Sequence, residues 1–188
     1  TYSVGVAYNN RKTSLQFIQQ EMNNITALSN ETCQLGIQSR NMVLYIAKKD
    51  SPQPIRLMSS VGKQLPLYCT GLGRALLAYK SEEEIRSLFP EVLTAYTPHT
   101  IATINDLLKE LELTRQRGYA VEHEETNLMV NCIAVSLDYN NAPIAALSIS
   151  IPTFRISESK EKEAVQILWE AKQHIETHFK MYGVDFGN

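Results

Sequence analysis

Four groups of residues in this chain have the types and spacing to do chemistry. The first is Leu65-Pro66-Leu67-Tyr68-Cys69-Thr70-Gly71-Leu72-Gly73-Arg74, which runs on into Ala75-Leu76-Leu77-Ala78-Tyr79. A threonine ahead of a glycine-bracketed turn and a run of good helix formers reads as a loop entering a helix, with Thr70 as its N-cap. Gly71 and Gly73 let a ligand approach the main chain. The uncovered first amides and the positive end of the helix dipole favour a carboxylate or another small anion there. Arg74 adds a cation one turn in. Taken alone, the two glycines fit close helix packing better than ligand contact.

The second group lies in two strand-like runs. In Ala145-Ala146-Leu147-Ser148-Ile149-Ser150-Ile151, alternation puts Ser148 and Ser150 on one face and Leu147, Ile149 and Ile151 on the other. In the neighbouring run Cys132, Ala134 and Ser136 alternate against Ile133, Val135 and Leu137. A solvated face is usually covered by long charged side chains, so small Ser, Ala and Cys side chains suit the floor of a pocket better. The third group is Glu122-His123-Glu124-Glu125. Glu124 and Glu125 read as solvated surface, whereas Glu122 ends a short strand and can turn inward as an acceptor for ligand hydroxyls. The fourth is Cys33, Cys69 and Cys132 with His99 and His123. These residue types can make a nucleophile and base, or metal ligands, but no local signature or ligand spacing ties them together. His174 and His178, one turn apart, read as helix surface.

Leu15, Ile18, Met22, Ile25 and Leu28 recur at helical spacing and predict an amphipathic helix over about 11–29. Three strands are predicted next, Cys33 to Gln38, Met42 to Lys48 and Ile55 to Ser59, separated by turn residues. The Gly73 to Tyr79 helix follows, then a helix capped by Ser81-Glu82-Glu83-Glu84 that ends near Phe89-Pro90. Residues 91–102 read as a long surface loop. Thr103 caps a helix with Leu107, Leu108 and Leu111 inward, ended by Gly118. A short strand from Tyr119 to Glu122 precedes a hairpin, 131–138 and 143–151, turning at Tyr139-Asn140-Asn141-Ala142. A last helix, about 157–181, buries Val165, Leu168, Trp169, Ile175 and Phe179. The order predicts one α+β domain in which helices pack on an antiparallel sheet of about six strands.

Composition excludes several classes. The chain has 188 residues, is 44% hydrophobic and carries a net charge of −2, which suits one ordinary core and argues against a broad basic face for nucleic acid. No apolar run approaches the length needed to span a bilayer, so no membrane partner is expected. Three scattered cysteines make no disulfide framework, which fits a reducing cytoplasm. The N-terminus has neither a signal peptide pattern nor a start methionine, so residues 1–10 read as the remnant of a linker or tail and 11–188 as the domain.

Four stretches in order carry a family resemblance: Leu65 to Ala78, Arg117-Gly118-Tyr119-Ala120-Val121-Glu122-His123-Glu124-Glu125, Asn131-Cys132-Ile133-Ala134, and Ala145 to Ser150. Together they resemble the C-terminal effector-binding domain of the IclR family of bacterial transcription regulators, over nearly the whole chain. The resemblance implies a GAF-like curved antiparallel sheet flanked by helices. It implies a small organic acid effector, such as a sugar acid or keto acid, held at Gly71, Leu72, Glu122, Val130, Cys132, Ser148 and Ser150. It also implies no cofactor, no metal, no catalysis, a dimer or dimer of dimers, and operator DNA bound only through an N-terminal winged helix-turn-helix domain that this chain lacks. Four residues depart from the pattern: Met129 where glycine is common, Val135-Ser136 where Ala-Pro is common, and Glu122 for a more usual aspartate. Met129 at the rim would narrow the pocket or reshape it for another effector. Two rival readings are a GAF-like enzyme with a reactive cysteine, which needs a thiol of depressed pKa at Cys69 or Cys132, and a purely structural dimerisation module.

Overall fold

A computed structural model describes residues 13–56 and 60–186. The first helix, α1 (Ser14–Ser29), starts at a reciprocal cap. Thr13 Oγ1 accepts from the Gln16 amide, and Gln16 Oε1 accepts from the Thr13 amide. Asn30, in the left-handed region, ends it and turns the chain into strands β1 (Thr32–Ser39) and β2 (Met42–Lys49). Strand β3 (Gln64–Pro66) and a single 3-10 turn lead into α2 (Gly71–Leu77). Helices α3 (Glu82–Leu88) and α4 (Ile104–Arg117) follow, then strands β4 (Ala120–His123), β5 (Val130–Tyr139) and β6 (Ala142–Pro152), and the long helix α5 (Glu158–Tyr182).

The six strands form one curved sheet in the order β3-β2-β1-β6-β5-β4, antiparallel at every step. The β5–β6 turn is tight because Asn140 and Asn141 both take positive φ, 51° and 62°, as a two-residue hairpin of right-handed twist requires. Between the Leu35–Ala47 and Gly36–Tyr45 pairs, Ile46 is an extra residue in β2. This bulge turns Tyr45 to one face of the sheet while Ala47, two residues on, faces the other.

Each face has its own core. On one, Cys33, Leu35, Ile133, Val135, Leu147 and Ile149 pack against Ile18, Met22 and Ile25 of α1 and Leu168, Ile175 and Phe179 of α5. On the other, Val43, Tyr45, Ala134 and Ala146 meet Leu72, Ala75 and Leu76 of α2, backed by Leu107 and Leu111 of α4. The small residues on that second face let α2 lie directly on the strands.

Several expectations need correcting. The third strand is Gln64–Pro66, not 55–59. Ile55 and Arg56 pair in no strand, and 57–59, like 1–12, lie outside the described residues. The edge of β2 is taken instead by β3, where Leu65 pairs with Val43. Leu28 is 60% exposed rather than inward, displaced to solvent at the last turn of α1. The 91–102 loop is not wholly surface: Leu93 and Thr100 are buried, and a bridge pairs Val92 with Thr103.

Candidate functional site

Helix α2 is seated by its glycines. A Cβ on Gly73 would stand 2.2 Å from the Leu67 carbonyl oxygen, and one on Gly71 would stand 3.3 Å from Cys132 Cβ on the sheet. Gly73 is therefore demanded by packing, and its amide is already taken by Thr70 Oγ1 at 3.1 Å. Thr70 in turn donates to the Pro66 carbonyl at 3.0 Å. The amides of Gly71 and Leu72 have no partner among the described residues and stand at the edge of a narrow cavity.

That cavity is tight, with an open volume of about 20 Å³. Its floor is the small-residue face of the sheet, where register sets Cys132 beside Ser150, Ala134 beside Ser148, and Gln34 of β1 beside Ser148. Ser150 Oγ donates to Gln34 Oε1 at 2.9 Å, Ser148 Oγ to the same oxygen at 3.4 Å, and Cys132 Sγ lies 3.1 Å from Ser150 Oγ. The cavity is lined by Gly71, Leu72, Glu122, Val130, Cys132 and Ser148. Ser150 lies beneath, where it orients Gln34 and Cys132 rather than facing the space itself.

Glu122 sits on β4 opposite Cys132 and is 1% exposed. Its Oε1 accepts from the amides of Glu125 (2.6 Å) and Thr126 (3.3 Å). Burial outweighs these stabilising contacts, and together with the nearby Glu125 charge it pushes the carboxyl up to about 7. Near neutral pH this group is thus close to half protonated, able to donate or to accept.

The loop from Glu124 to Met129 roofs the cavity through Thr126 and Asn127. It leaves and rejoins the sheet at two residues of positive φ, Glu124 (54°) and Met129 (69°), and Glu124 Oε1 accepts from the Met129 amide at 2.6 Å. Arg74 does not reach into the cavity. It is buried, donates through Nε to Tyr68 O (3.0 Å) and through Nη1 to Val121 O (2.9 Å), and pairs through Nη2 with the Glu125 carboxylate. Glu125, expected to be solvated, is therefore a buried anchor. Its Oε2 also accepts from the Ile101 amide at 3.2 Å, and its carbonyl accepts from Thr100 Oγ1 at 2.6 Å. One ion pair ties α2, the roof loop and the 94–102 segment together.

Sequence reasoning missed Gln34, Tyr45, Lys63, Leu65, Thr126 and Asn127, which also line the cavity. Gln34 was detectable, as the polar residue alternating with Cys33 and Leu35. Tyr45 was masked by the bulge that sets its face. Lys63 and the roof residues sit in loops without periodicity. Among the described residues, Lys63 is the one cationic residue on the lining. His123 bonds Asn131 at 3.0 Å and does not line the cavity, while His178 stacks on Phe17 at 4.3 Å.

Thiol chemistry is not what the site is built for. Burial pushes Cys69 up to about 12 and raises Cys33 and Cys132 as well, so all three stay protonated at neutral pH. A nucleophilic cysteine needs the opposite shift.

A curved six-stranded antiparallel sheet, helices on both faces and a roofed polar cavity against one face define a GAF-like domain. The family model described as bacterial transcriptional regulator IclR C-terminal matches residues 8–177. The chain belongs to that family. It is 38% identical over 157 residues to the HTH-type transcriptional regulator KdgR of Dickeya chrysanthemi, covering 82% of this chain and 52% of the relative. It is 32% identical over 178 residues to the HTH-type transcriptional repressor AllR of Escherichia coli K12, covering 94% and 66%. The crystal structure of the C-terminal domain of E. coli KdgR superposes with a TM-score of 0.79 at 32% identity, covering 87% of this chain and 96% of that one. The chain spans between half and two thirds of the length of these curated relatives, both named transcription regulators.

Proposed function

We propose that residues 11–188 form the effector-binding domain of a bacterial transcription regulator, and that the roofed cavity binds a small organic acid, a sugar acid or keto acid. The observation that carries this reading is the convergence on one cavity of two free amides at the start of α2, the cationic residue Lys63, and a set of hydroxyl, amide and carboxyl groups from four strands. The amides and Lys63 suit a carboxylate. Gln34, Ser148 and Glu122 suit hydroxyl or keto oxygens at the other end. Operator DNA would be held by an N-terminal domain outside this chain, and binding of the acid would alter that grip in a cytoplasmic dimer or dimer of dimers. Among the described residues no helix is long and apolar enough to cross a membrane.

The test is a thermal-shift screen of metabolite acids. A ligand at about a hundredfold excess over its Kd should stabilise the domain by about 2.7 kcal/mol. The double variant Ser148→Ala, Ser150→Ala should lose most of that shift, because it removes both donors to Gln34. If no acid in a broad panel shifts the melting temperature, and the double variant leaves every response of the intact regulator unchanged, the cavity is not the effector site.

A further inference from the structure

The cavity against the sheet holds one buried polar side chain that the protein leaves unsatisfied. Tyr45 of β2 lines the cavity and is only 7% exposed, yet its hydroxyl has no hydrogen-bond partner among the described residues. The other buried polar side chains on that lining are paired within the protein. Thr70 Oγ1 donates to Pro66 O at 3.0 Å, and Ser148 Oγ donates to Gln34 Oε1 at 3.4 Å. Glu122 Oε1 accepts from the Glu125 and Thr126 amides.

Tyr45 is fixed where it stands. Its amide donates to the Lys63 carbonyl at 3.0 Å, its carbonyl accepts from the Gly62 amide at 2.8 Å, and its ring belongs to the apolar core beneath α2. Burial first, then the neighbouring Cys132, Glu122 and Cys69 groups, hold the phenol well above its ordinary range, so it remains a donor at neutral pH. Cys132 and Glu122 line the same cavity, and a Cβ on Gly71 would stand 3.3 Å from Cys132 Cβ. The hydroxyl and the free amides at the start of α2 thus border one stretch of wall, at Cys132.

A hydroxyl held out of water without a partner costs free energy that a ligand acceptor can recover. We infer that Tyr45 is a specificity-determining residue, whose hydroxyl donates to an oxygen on the carbon next to the ligand's carboxylate. It thereby selects an oxo or hydroxy acid over the acid of the same length that lacks this oxygen. The inference rests on the reading of the cavity as an organic-acid site. With the carboxylate on the Gly71 and Leu72 amides, the adjoining carbon lies beside Cys132, within the reach of the phenol. A methylene at that carbon leaves the donor dehydrated and unpaired, and this penalty discriminates between the two acids.

The experiment is calorimetric titration of the parent chain and of Tyr45→Phe with two matched pairs, pyruvate with propanoate and D-gluconate with 2-deoxy-D-gluconate. In at least one pair the parent chain should bind the oxygen-bearing acid about tenfold more tightly than its partner. Tyr45→Phe should erase that preference by weakening the oxygen-bearing acid alone. Urea unfolding without ligand should show Tyr45→Phe at least as stable as the parent chain, because the change removes an unpaired hydroxyl. A hydroxyl with a purely structural role would instead show a loss. The inference is overturned, with the cavity reading intact, if acids bind but neither pair is discriminated, or if Tyr45→Phe keeps the preference. A lower urea midpoint for Tyr45→Phe also overturns it. If no acid of either pair binds the parent chain, the organic-acid reading falls and the inference falls with it.

Discussion

Glu122 shows how one residue acquires a property from its surroundings. A carboxyl on a strand end would ordinarily titrate near 4.5, yet burial against the cavity floor raises it to about 7. An anionic ligand in the same cavity binds better when Glu122 is neutral, so binding should draw in a proton. Affinity for an organic acid should therefore fall as pH rises from about 6 to about 8, approaching tenfold per unit above the carboxyl's own pKa. Calorimetric titration across that range checks this. Glu122→Gln, which keeps the acceptor for the Glu125 and Thr126 amides, should flatten the profile. At the rim, Met129 holds a φ of 69° while its side chain is 56% exposed. That conformation costs a side-chain-bearing residue about 1 kcal/mol or more, and glycine recovers most of it against its own entropy. Met129→Gly should raise stability by about 0.5 kcal/mol, read as a small increase in melting temperature.

Among the elements, α2 is the piece on which the site turns. It is too short to hold itself in water and depends on what it touches. Beneath it are the small residues of β5 and β6, behind it the Leu67 turn, and at its side the Arg74–Glu125 pair that joins it to the roof loop. Removing one partner of a buried pair strands the other charge, which costs about 3–5 kcal/mol. Arg74→Met should lower the urea midpoint by that measure and loosen the roof, seen as faster amide exchange at Thr126 and Asn127. Gly73→Ala should be worse tolerated than Gly71→Ala. The first sets a methyl into backbone at 2.2 Å, whereas the second meets a side-chain atom at 3.3 Å.

At the scale of the molecule, two cores share one sheet, and Glu122 lies within it as a buried acid. Its folded pKa is raised above the unfolded value, so the folded state holds its proton more tightly. The stability associated with that proton is fully present below about 4.5 and is lost as pH rises through about 7. Above that range the burial of ionised Glu122 costs about 3 kcal/mol relative to acid conditions. Denaturant unfolding of the ligand-free domain at a series of pH values should show this decline. Glu122→Gln should remove most of it and be more stable than the parent chain at about pH 8.

Much of this was legible in the linear chain because it depends on local rules. Period-two alternation in 131–138 and 145–151 assigns Cys132, Ala134, Ser148 and Ser150 to one face whatever lies opposite, and the Thr70, Ser81 and Thr103 caps mark helix starts through contacts three residues away. Family-like order then linked the loop at Gly71 to that face. What the chain alone could not decide was every feature set by residues far apart. The bulge at Ile46 aims Tyr45 into the cavity, and the edge beside β2 is taken by Gln64–Pro66. Glu125, which read as a solvated acid, becomes half of a buried pair with Arg74. The faces of the elements were readable along the chain because side-chain direction follows from backbone period. Which charges lose their water was not, because desolvation depends on what packs above them.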